Sequence, residues 1–341
     1  MQAADPASAP AIPVGLTPPV VSVIIPVYNS TRTLPDAIAA VMAQTYRDWE
    51  LIVVDDASRD DVAGALARAG SDPRIRLIRH AANAGASAAR NSGIAAARAR
   101  FVAFLDADDG WHPTKLERQV AAVLTRSDPD LVFCVTRSIV NLTPDRFILC
   151  PHRPKRSGER MDEYIFVHAG FCQTSSFLVS RAIAGAVGFR ELPLGEDHLF
   201  AIDACNAGAE YLMIDSPLSI YNDDARPGRL SNDHSLERGY AFMAGARDVL
   251  SPKSLLAYEA RNLGVPLLRD RPLAGIGTIV RAVSVGALPL RYAATLLTRA
   301  MLPARLYAAV RARLLGHLPS RGWPSFSLAE EPGSKVANPA E

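Results

Sequence analysis

The sequence predicts an α/β fold: a mostly parallel sheet flanked by helices, followed by a helical extension. Three observations predict it. Short apolar runs alternate with segments of helical periodicity from Val20 to Val135, with short connections between them. The runs are apolar at nearly every position, which suits strands buried on both faces. Two of them pass at their C-terminal ends into aspartates. In open parallel sheets, ligands bind outside those ends.

Val20 to Ile25 is the first strand, broken only by Ser22 and ended by Pro26. Thr33 stands where it can cap the next helix, with Pro35 and Asp36 in the first turn. Leu34, Ile38, Val41 and Met42 then recur on one helical face. Leu51 to Val54 is a second strand and runs into Asp55-Asp56-Ala57-Ser58. Asp61 to Ala69 is a short helix and Ile75 to Ile78 a third strand. The turn Asn83-Ala84-Gly85 precedes an alanine-rich helix, Ala86 to Arg98. Phe101 to Leu105 is the fourth strand, followed at once by Asp106, Asp108 and Asp109. Pro113 opens a helix to about Thr125, and Leu131 to Val135 is a fifth strand.

Beyond Phe147 the pattern is less regular. Pro151 to Arg160 is a basic loop and Ser175 to Val179 a strand. Glu196 and Asp197 open a helix to Asn206, where acids complement the helix dipole. Tyr211 to Ile214 and Leu218 to Tyr221 are two short strands. Residues 1–19 form an Ala- and Pro-rich leader, and 321–341 a tail, both expected to be disordered.

The parallel sheet brings Tyr28, Asp55, Asp56, Asp106 and Asp108 towards one crevice. A carboxylate cluster at a strand end suits a hard cation, Mg²⁺ or Mn²⁺, that takes oxygen ligands and shares them with phosphates. A plain polar turn is the alternative.

Composition narrows the class. The 341 residues allow one large domain or two ordinary ones, and 49% apolar residues allow a sizeable core. A net charge of +2 gives no argument for nucleic acid. The four cysteines show no C-x-x-C spacing, so they read as reduced packing residues. The first basic residue is Arg32, which argues against a signal peptide, and no apolar run approaches a membrane span. The expected location is cytoplasmic, at the inner face of the cell membrane. That last element rests on 241–320, a basic amphipathic extension. From Arg261 to Arg313 nine arginines occur with Asp270 as the only acid, between apolar stretches. Such helices suit an anionic membrane surface. The alternative is an extension packed on the main domain.

The motifs now converge on a family. Pro26-Val27-Tyr28-Asn29, Asp55-Asp56-Ala57-Ser58, Asn83-Ala84-Gly85 with Ala89-Arg90-Asn91, Asp106-Ala107-Asp108-Asp109 and Glu196-Asp197 occur in order. Together they closely resemble the family 2 glycosyltransferases, over about Val20 to Tyr221. Each motif alone is unspecific; the ordered set is not. The resemblance implies the Rossmann-like GT-A fold. Residues 20–135 would be its nucleotide-sugar-binding half and 136–240 its acceptor-side half.

By the same resemblance, Pro26, Tyr28, Asp55, Asp56, Arg90 and Asp106 bind the nucleotide sugar. Tyr28 would stack on a base, and Asp56, or else Asp55, would accept a hydrogen bond from it. The family usually has Gly where Ala57 stands, so the turn is expected to do without a positive φ. Arg90 would approach the base or diphosphate. Asp108, with Asp106, would bind Mg²⁺ or Mn²⁺ at the diphosphate. Asp109 is expected to be structural. Asp197 would be the general base of an inverting transfer. Glu196 and Trp111 are candidate acceptor-side residues. Ordinary structural roles are the alternatives: core packing for Tyr28 and Trp111, an exposed helix position for Arg90, and a helix-start acid pair for Glu196 and Asp197.

Processive members carry Q-x-x-R-W and membrane-spanning helices; neither occurs here. Arg226, Arg229 and Ser231 occupy the corresponding region, where they would touch phosphates. The expected reaction moves one sugar from a nucleotide donor, UDP-linked, to a saccharide acceptor. A lipid-linked oligosaccharide acceptor would explain the basic extension and place the chain in cell-surface or exopolysaccharide assembly. A non-catalytic GT-A-like scaffold and a sugar nucleotidyltransferase are the competing classes. The latter normally has a glycine-rich loop after the first strand, where this chain has Pro26 to Asn29.

Overall fold

The structure, a computed structural model, describes residues 19–143, 146–222 and 235–302. The leader, the tail, Arg226, Arg229, Ser231 and the end of the extension lie outside these residues.

The first half is a series of βα units: β1 (Val21–Val27), α1 (Leu34–Met42), β2 (Trp49–Asp55), α2 (Val62–Ala69), β3 (Ile75–Arg79), α3 (Ala86–Ala96) and β4 (Phe101–Phe104). All three pairings among these strands are parallel, in the order β3-β2-β1-β4. A short β5 (Gly110–Trp111), α4 (Lys115–Leu124), β6 (Val132–Thr143) and β7 (Arg146–Cys150) follow. Next come β8 (Leu178–Ser180), α5 (Arg181–Val187), α6 (Glu196–Asn206) and β9 (Glu210–Asn222). The sheet continues from β4 through β8, β6 and β9 to β5. Here β4–β8, β8–β6 and β9–β5 are antiparallel and β6–β9 is parallel. The parallel arrangement thus holds through β4, and the later strands make the sheet mixed.

Two cores result, one on each face. Val23, Ile25, Leu51, Val53 and Phe101 pack with α1, α2 and α4. Ile24, Ile52, Val54 and Phe104 pack with α3, α5 and α6. Successive strand residues point to opposite faces, which is why these strands are apolar at every position. Gly93 lets α3 lie close on β1: a Cβ there would come within 2.4 Å of Ile24.

The extension joins the second core. Helices α7 (Leu236–Gly245), α8 (Pro252–Tyr258), α9 (Gly264–Asp270), α10 (Pro272–Ser284) and α11 (Leu290–Met301) bury Phe242, Tyr258, Leu267, Ile279 and Leu296 in it. One side of the extension therefore packs on the domain. Among the described residues no helix is long and apolar enough to cross a membrane.

Local expectations are corrected in several places. Pro26 lies within β1, paired with Val54, rather than ending the strand. The Ile24 carbonyl accepts from Leu105 and that of Val27 from Asp56, so Pro26 faces the β4 side, past the last β1–β4 pair. Its missing N–H therefore breaks no ladder bond. The Thr33 hydroxyl donates to the Ser30 carbonyl and does not cap α1. The two strands expected after Tyr211 are one, β9, whose register with β6 shifts at Pro217. A residue without an N–H suits such an irregularity. Ala57 takes a positive φ of 57°, against the expected turn, and holds it without glycine.

Candidate active site

The site forms where β1, β2 and β4 end side by side. Tyr28 follows β1 and is 46% exposed, so its ring is open to a partner. The adjoining loops are tied together. The Asn29 N–H donates to Ser58 Oγ at 3.0 Å, and Arg59 N–H donates to Asn29 Oδ1 at 2.8 Å. Asp55 is buried; its Oδ1 accepts from the Ser58 N–H at 2.8 Å and Arg79 Nε lies 3.4 Å from Oδ2.

Asp56 turns out to be an architectural residue. It is buried, and its oxygens accept from the Ala84 and Gly85 N–H groups, Asn83 Nδ2 and His80 Nδ1, at 2.7–2.9 Å. Two carboxylate oxygens offer about four acceptor positions. The four donors fill them, so the expected hydrogen bond to a base has no vacancy on Asp56. What this carboxylate does is fix the turn that starts α3.

Arg90, one turn into α3, is buried between two acids. Its Nη2 lies 2.7 Å from Asp106 Oδ1 and its Nη1 3.1 Å from Glu196 Oε1. Burial pushes the guanidinium pKa down, but Asp106 and Glu196 together outweigh it and hold the pKa above its ordinary value. This clamp joins α3, the end of β4 and the start of α6. The exposed-helix alternative for Arg90 is excluded.

The loop after β4 is held from behind. Asp109 Oδ2 accepts from Gln173 Nε2 at 2.6 Å and Ser175 Oγ at 2.7 Å, and Oδ1 from the Asn222 N–H at 3.1 Å. Burial, then the nearby Asp106 and Asp108, pushes its pKa well up. Ser175 Oγ also accepts the Asp106 N–H at 3.0 Å. Gln173, Ser175 and Asn222 therefore set the Asp106–Asp109 turn. The sequence signal for Gln173 and Ser175 is a polar break between Cys172 and Phe177; Asn222 carries none.

Among the described residues, no group of three or more His, Cys, Asp and Glu side chains could hold a metal. Asp106 gives one oxygen to Arg90, and Asp108 adds a second carboxylate two residues on. That small oxygen set fits Mg²⁺ or Mn²⁺, which keep waters and complete their shell with substrate phosphates, and does not fit an all-protein cage.

Gly195 has φ +74°, and a Cβ on it would come within 2.7 Å of Phe242. Glycine is thus needed where α7 closes over the start of α6. The next residues, Glu196 and Asp197, face a cavity of about 870 Å³ that Arg90 and Asp106 also line. Asp197 Oδ1 accepts from the His198 N–H at 2.7 Å, and its side chain stays 24% exposed. Pro26, Tyr28, Asp55, Asp56 and Asp108 lie outside this cavity.

Trp111 lies outside it too. The side chain is buried, Nε1 donates to the Ser175 carbonyl at 2.7 Å, and the Lys115 ammonium sits 4.1 Å from the ring centre. It is a core residue, which corrects the acceptor-side assignment. The extension instead supplies wall residues that sequence reasoning missed: Phe242, Tyr258, Arg261 and Tyr292.

Comparison with known proteins fits this geometry. The sequence model of Glycosyl transferase family 2 matches residues 22–188. The chain is 30% identical over 250 residues to the amylovoran biosynthesis glycosyltransferase AmsB of Erwinia amylovora, covering 71% of this chain and 82% of AmsB. It is 43% identical over 104 residues to the Escherichia coli UDP-Glc:alpha-D-GlcNAc-diphosphoundecaprenol beta-1,3-glucosyltransferase WfgD, covering 30% of this chain and 41% of WfgD. The S. aureus TarS 1–349 complex with UDP-GlcNAc has a similar fold, with TM-score 0.58 and 17% identity over 80% of this chain and 82% of that one. So does the mannosyltransferase PcManGT of Pyrobaculum calidifontis with GDP-Man and Mn²⁺, at TM-score 0.53 and 19% identity over 88% and 86%. An acidic cleft at the carboxyl edge of a GT-A sheet, in a chain alike along most of AmsB, has one consistent reading: this chain belongs to glycosyl transferase family 2.

Proposed function

We propose that this enzyme transfers a single sugar, with inversion, from a UDP-linked donor to a hydroxyl on a lipid-linked saccharide. The observation that carries the reading is the meeting of Arg90, Asp106, Glu196 and Asp197 in one cavity. The donor's base has an exposed ring at Tyr28 after β1, and the buried Asp55 ends the neighbouring strand β2. Asp106 and Asp108 would hold Mg²⁺ or Mn²⁺, which supplies positive charge to the leaving diphosphate. Arg90 keeps Asp106 in place. Asp197 takes the proton from the acceptor hydroxyl, and that oxygen bonds to the anomeric carbon as the diphosphate leaves from the opposite face. The names of WfgD, a UDP-glucose enzyme with a diphosphoundecaprenol-linked acceptor, and AmsB support the donor, acceptor and a role in surface-polysaccharide assembly.

Asp197→Asn tests the base: UDP binding stays while transfer falls about 10²–10⁴-fold. Full activity in that variant would remove Asp197 from the role. Asp108→Ala should abolish Mn²⁺-dependent UDP binding in a thermal-shift assay; unchanged binding would end the metal assignment.

We place the enzyme at the inner face of the cell membrane, through the outer side of α10 and α11. Leu273, Leu290 and Met301 are 86%, 74% and 83% exposed there. Arg271, Arg281, Arg291 and Arg299 are exposed too, and no acid occurs from Arg271 to Leu302. Arginine near an anionic surface contributes about 1 kcal/mol each. Cosedimentation with phosphatidylglycerol vesicles, weakened by salt and absent with phosphatidylcholine, is the expected result. Equal binding to both would overturn it.

A further inference from the structure

Arg261 lies in the short π-helical turn Glu259–Leu263 between α8 and α9 and lines the cavity. It is partly buried, yet no carboxylate pairs with it among the described residues. Its Nη2 donates to the Val167 carbonyl at 2.8 Å and its guanidinium sits 4.7 Å from the Tyr292 ring centre. Its Nε is shielded from solvent and has no acceptor, as is also true of Arg90, so the missing carboxylate is what sets Arg261 apart. Sheltered cations ordinarily have an anionic partner, and a sheltered donor without an acceptor is costly. An arginine cannot escape by losing its proton.

Its neighbours say which anion fits. On one side, the chain of contacts leads to Asp197. The adjoining His198 packs edge-on against Phe166 at 5.7 Å, Phe166 packs on Tyr258 at 5.6 Å, and Arg261 bonds the residue after Phe166. On the other side, Tyr292 belongs to α11 and is itself 37% exposed, next to the exposed Leu290. The cation therefore stands between the carboxylate that faces the acceptor hydroxyl and the apolar outer surface of the extension. A matching ligand has the same order: sugar, phosphate, hydrocarbon.

We infer that Arg261 is the acceptor-phosphate subsite, binding the phosphate or diphosphate that joins the acceptor sugar to its lipid. The inference rests on Asp197 marking the acceptor side. It makes Arg261 a selector for phosphorylated, lipid-borne acceptors over neutral glycans, separate from the donor diphosphate at Asp106 and Asp108.

The test titrates the full chain, with Mn²⁺ and saturating UDP, with dodecyl diphosphate, dodecyl β-maltoside and inorganic pyrophosphate. Dodecyl diphosphate should bind without displacing UDP and more tightly than either of the others. Arg261→Gln should weaken it about 10- to 100-fold, the span of a charge-assisted hydrogen bond, and leave UDP affinity unchanged. Arg261→Lys should recover part of the loss. Tyr292→Leu, which leaves the Val167 bond intact, should weaken it a few-fold and gives a second reading should Arg261→Gln fold poorly. Equal dodecyl diphosphate affinity in wild type, Arg261→Gln and Tyr292→Leu overturns the assignment, as does displacement of UDP. Pyrophosphate binding as tightly as dodecyl diphosphate overturns the lipid part. The donor side is read separately: if wild type binds no UDP, the glycosyltransfer reading itself fails, whereas UDP binding without alkyl-diphosphate selectivity sinks only Arg261.

Discussion

The α3 side of the cavity and its extension side each present an arginine, in opposite circumstances. Arg90 is buried with Asp106 and Glu196 on it, and every element it touches is fixed by the contact. Arg261 is partly buried with a backbone carbonyl and an aromatic ring, and no carboxylate pairs with it among the described residues. One charge is consumed by architecture; the other is kept for a ligand. A third sheltered cation shows the remaining solution. Lys115 is fully buried on the other face of the sheet, where Nζ donates to Gln119 Oε1 at 2.7 Å and no carboxylate pairs with it among the described residues. It lies outside the cavity, and burial pushes its pKa down to about 7. A lysine can shed its proton where an arginine cannot.

The largest effect should separate the two arginines. Removing one partner of a buried ion pair costs about 3–5 kcal/mol. Arg90→Met would leave Asp106 and Glu196 facing each other across the clamp, so a loss of that size is expected in urea unfolding. Arg261→Gln should cost about 1 kcal/mol or less, since it gives up one hydrogen bond and relieves an unmet donor. Equal losses would erase the contrast. Next comes Asp56→Ala, which strips four donors of their acceptor. We expect about 2–4 kcal/mol from orphaned buried groups, with transfer activity falling in step with folded fraction. A stable variant that fails only in UDP binding would restore Asp56 to the base-contacting role.

Lys115 gives a pH test. Its folded pKa, about 7, lies below the roughly 10.4 of an unfolded lysine. Between the two, the unfolded chain binds the extra proton, so stability from this group rises with pH. Below about 7 the buried charge is retained and the penalty is full. The stability gained by Lys115→Met relative to wild type should therefore be largest at pH 6 and shrink by pH 9. Parallel urea midpoints across that range would show that Lys115 titrates normally.

What the residues disclosed beforehand follows from the range of each interaction. The strands β1 to β4 were legible because burial on both faces leaves a local signature, although Pro26 proved to lie inside β1 and not at its end. A strand-end carboxylate such as Asp56 looks alike whether it faces a ligand or its own turn; its donors, His80 to Gly85, lie 24 to 29 residues away. Trp111 was misplaced for the same reason, its partner being the carbonyl of Ser175. The basic extension was read by its arginines, which describe its outer side. Its inner contacts, such as Phe242 against Gly195, depend on closure over α6 and leave no periodic trace. Arg261 was one arginine among nine until Val167 and Tyr292 were seen beside it.

The smallest effect concerns the α3 side's own rigidity. Ala57 holds φ +57° in the turn after Asp56, a region that costs a residue with a Cβ about 1–2 kcal/mol. Glycine would remove that strain but give back about 0.4–1 kcal/mol through the freer unfolded chain. Ala57→Gly should therefore stabilise the protein by up to about 1 kcal/mol. UDP affinity should not change, because the turn is already pinned by the Ser58 N–H on Asp55 and by Ser58 Oγ under Asn29. A gain in stability with a loss of UDP affinity would mean that the strain at Ala57 positions Tyr28 or Asp55 for the donor, and the α3 side would then be less purely architectural than Arg90 makes it.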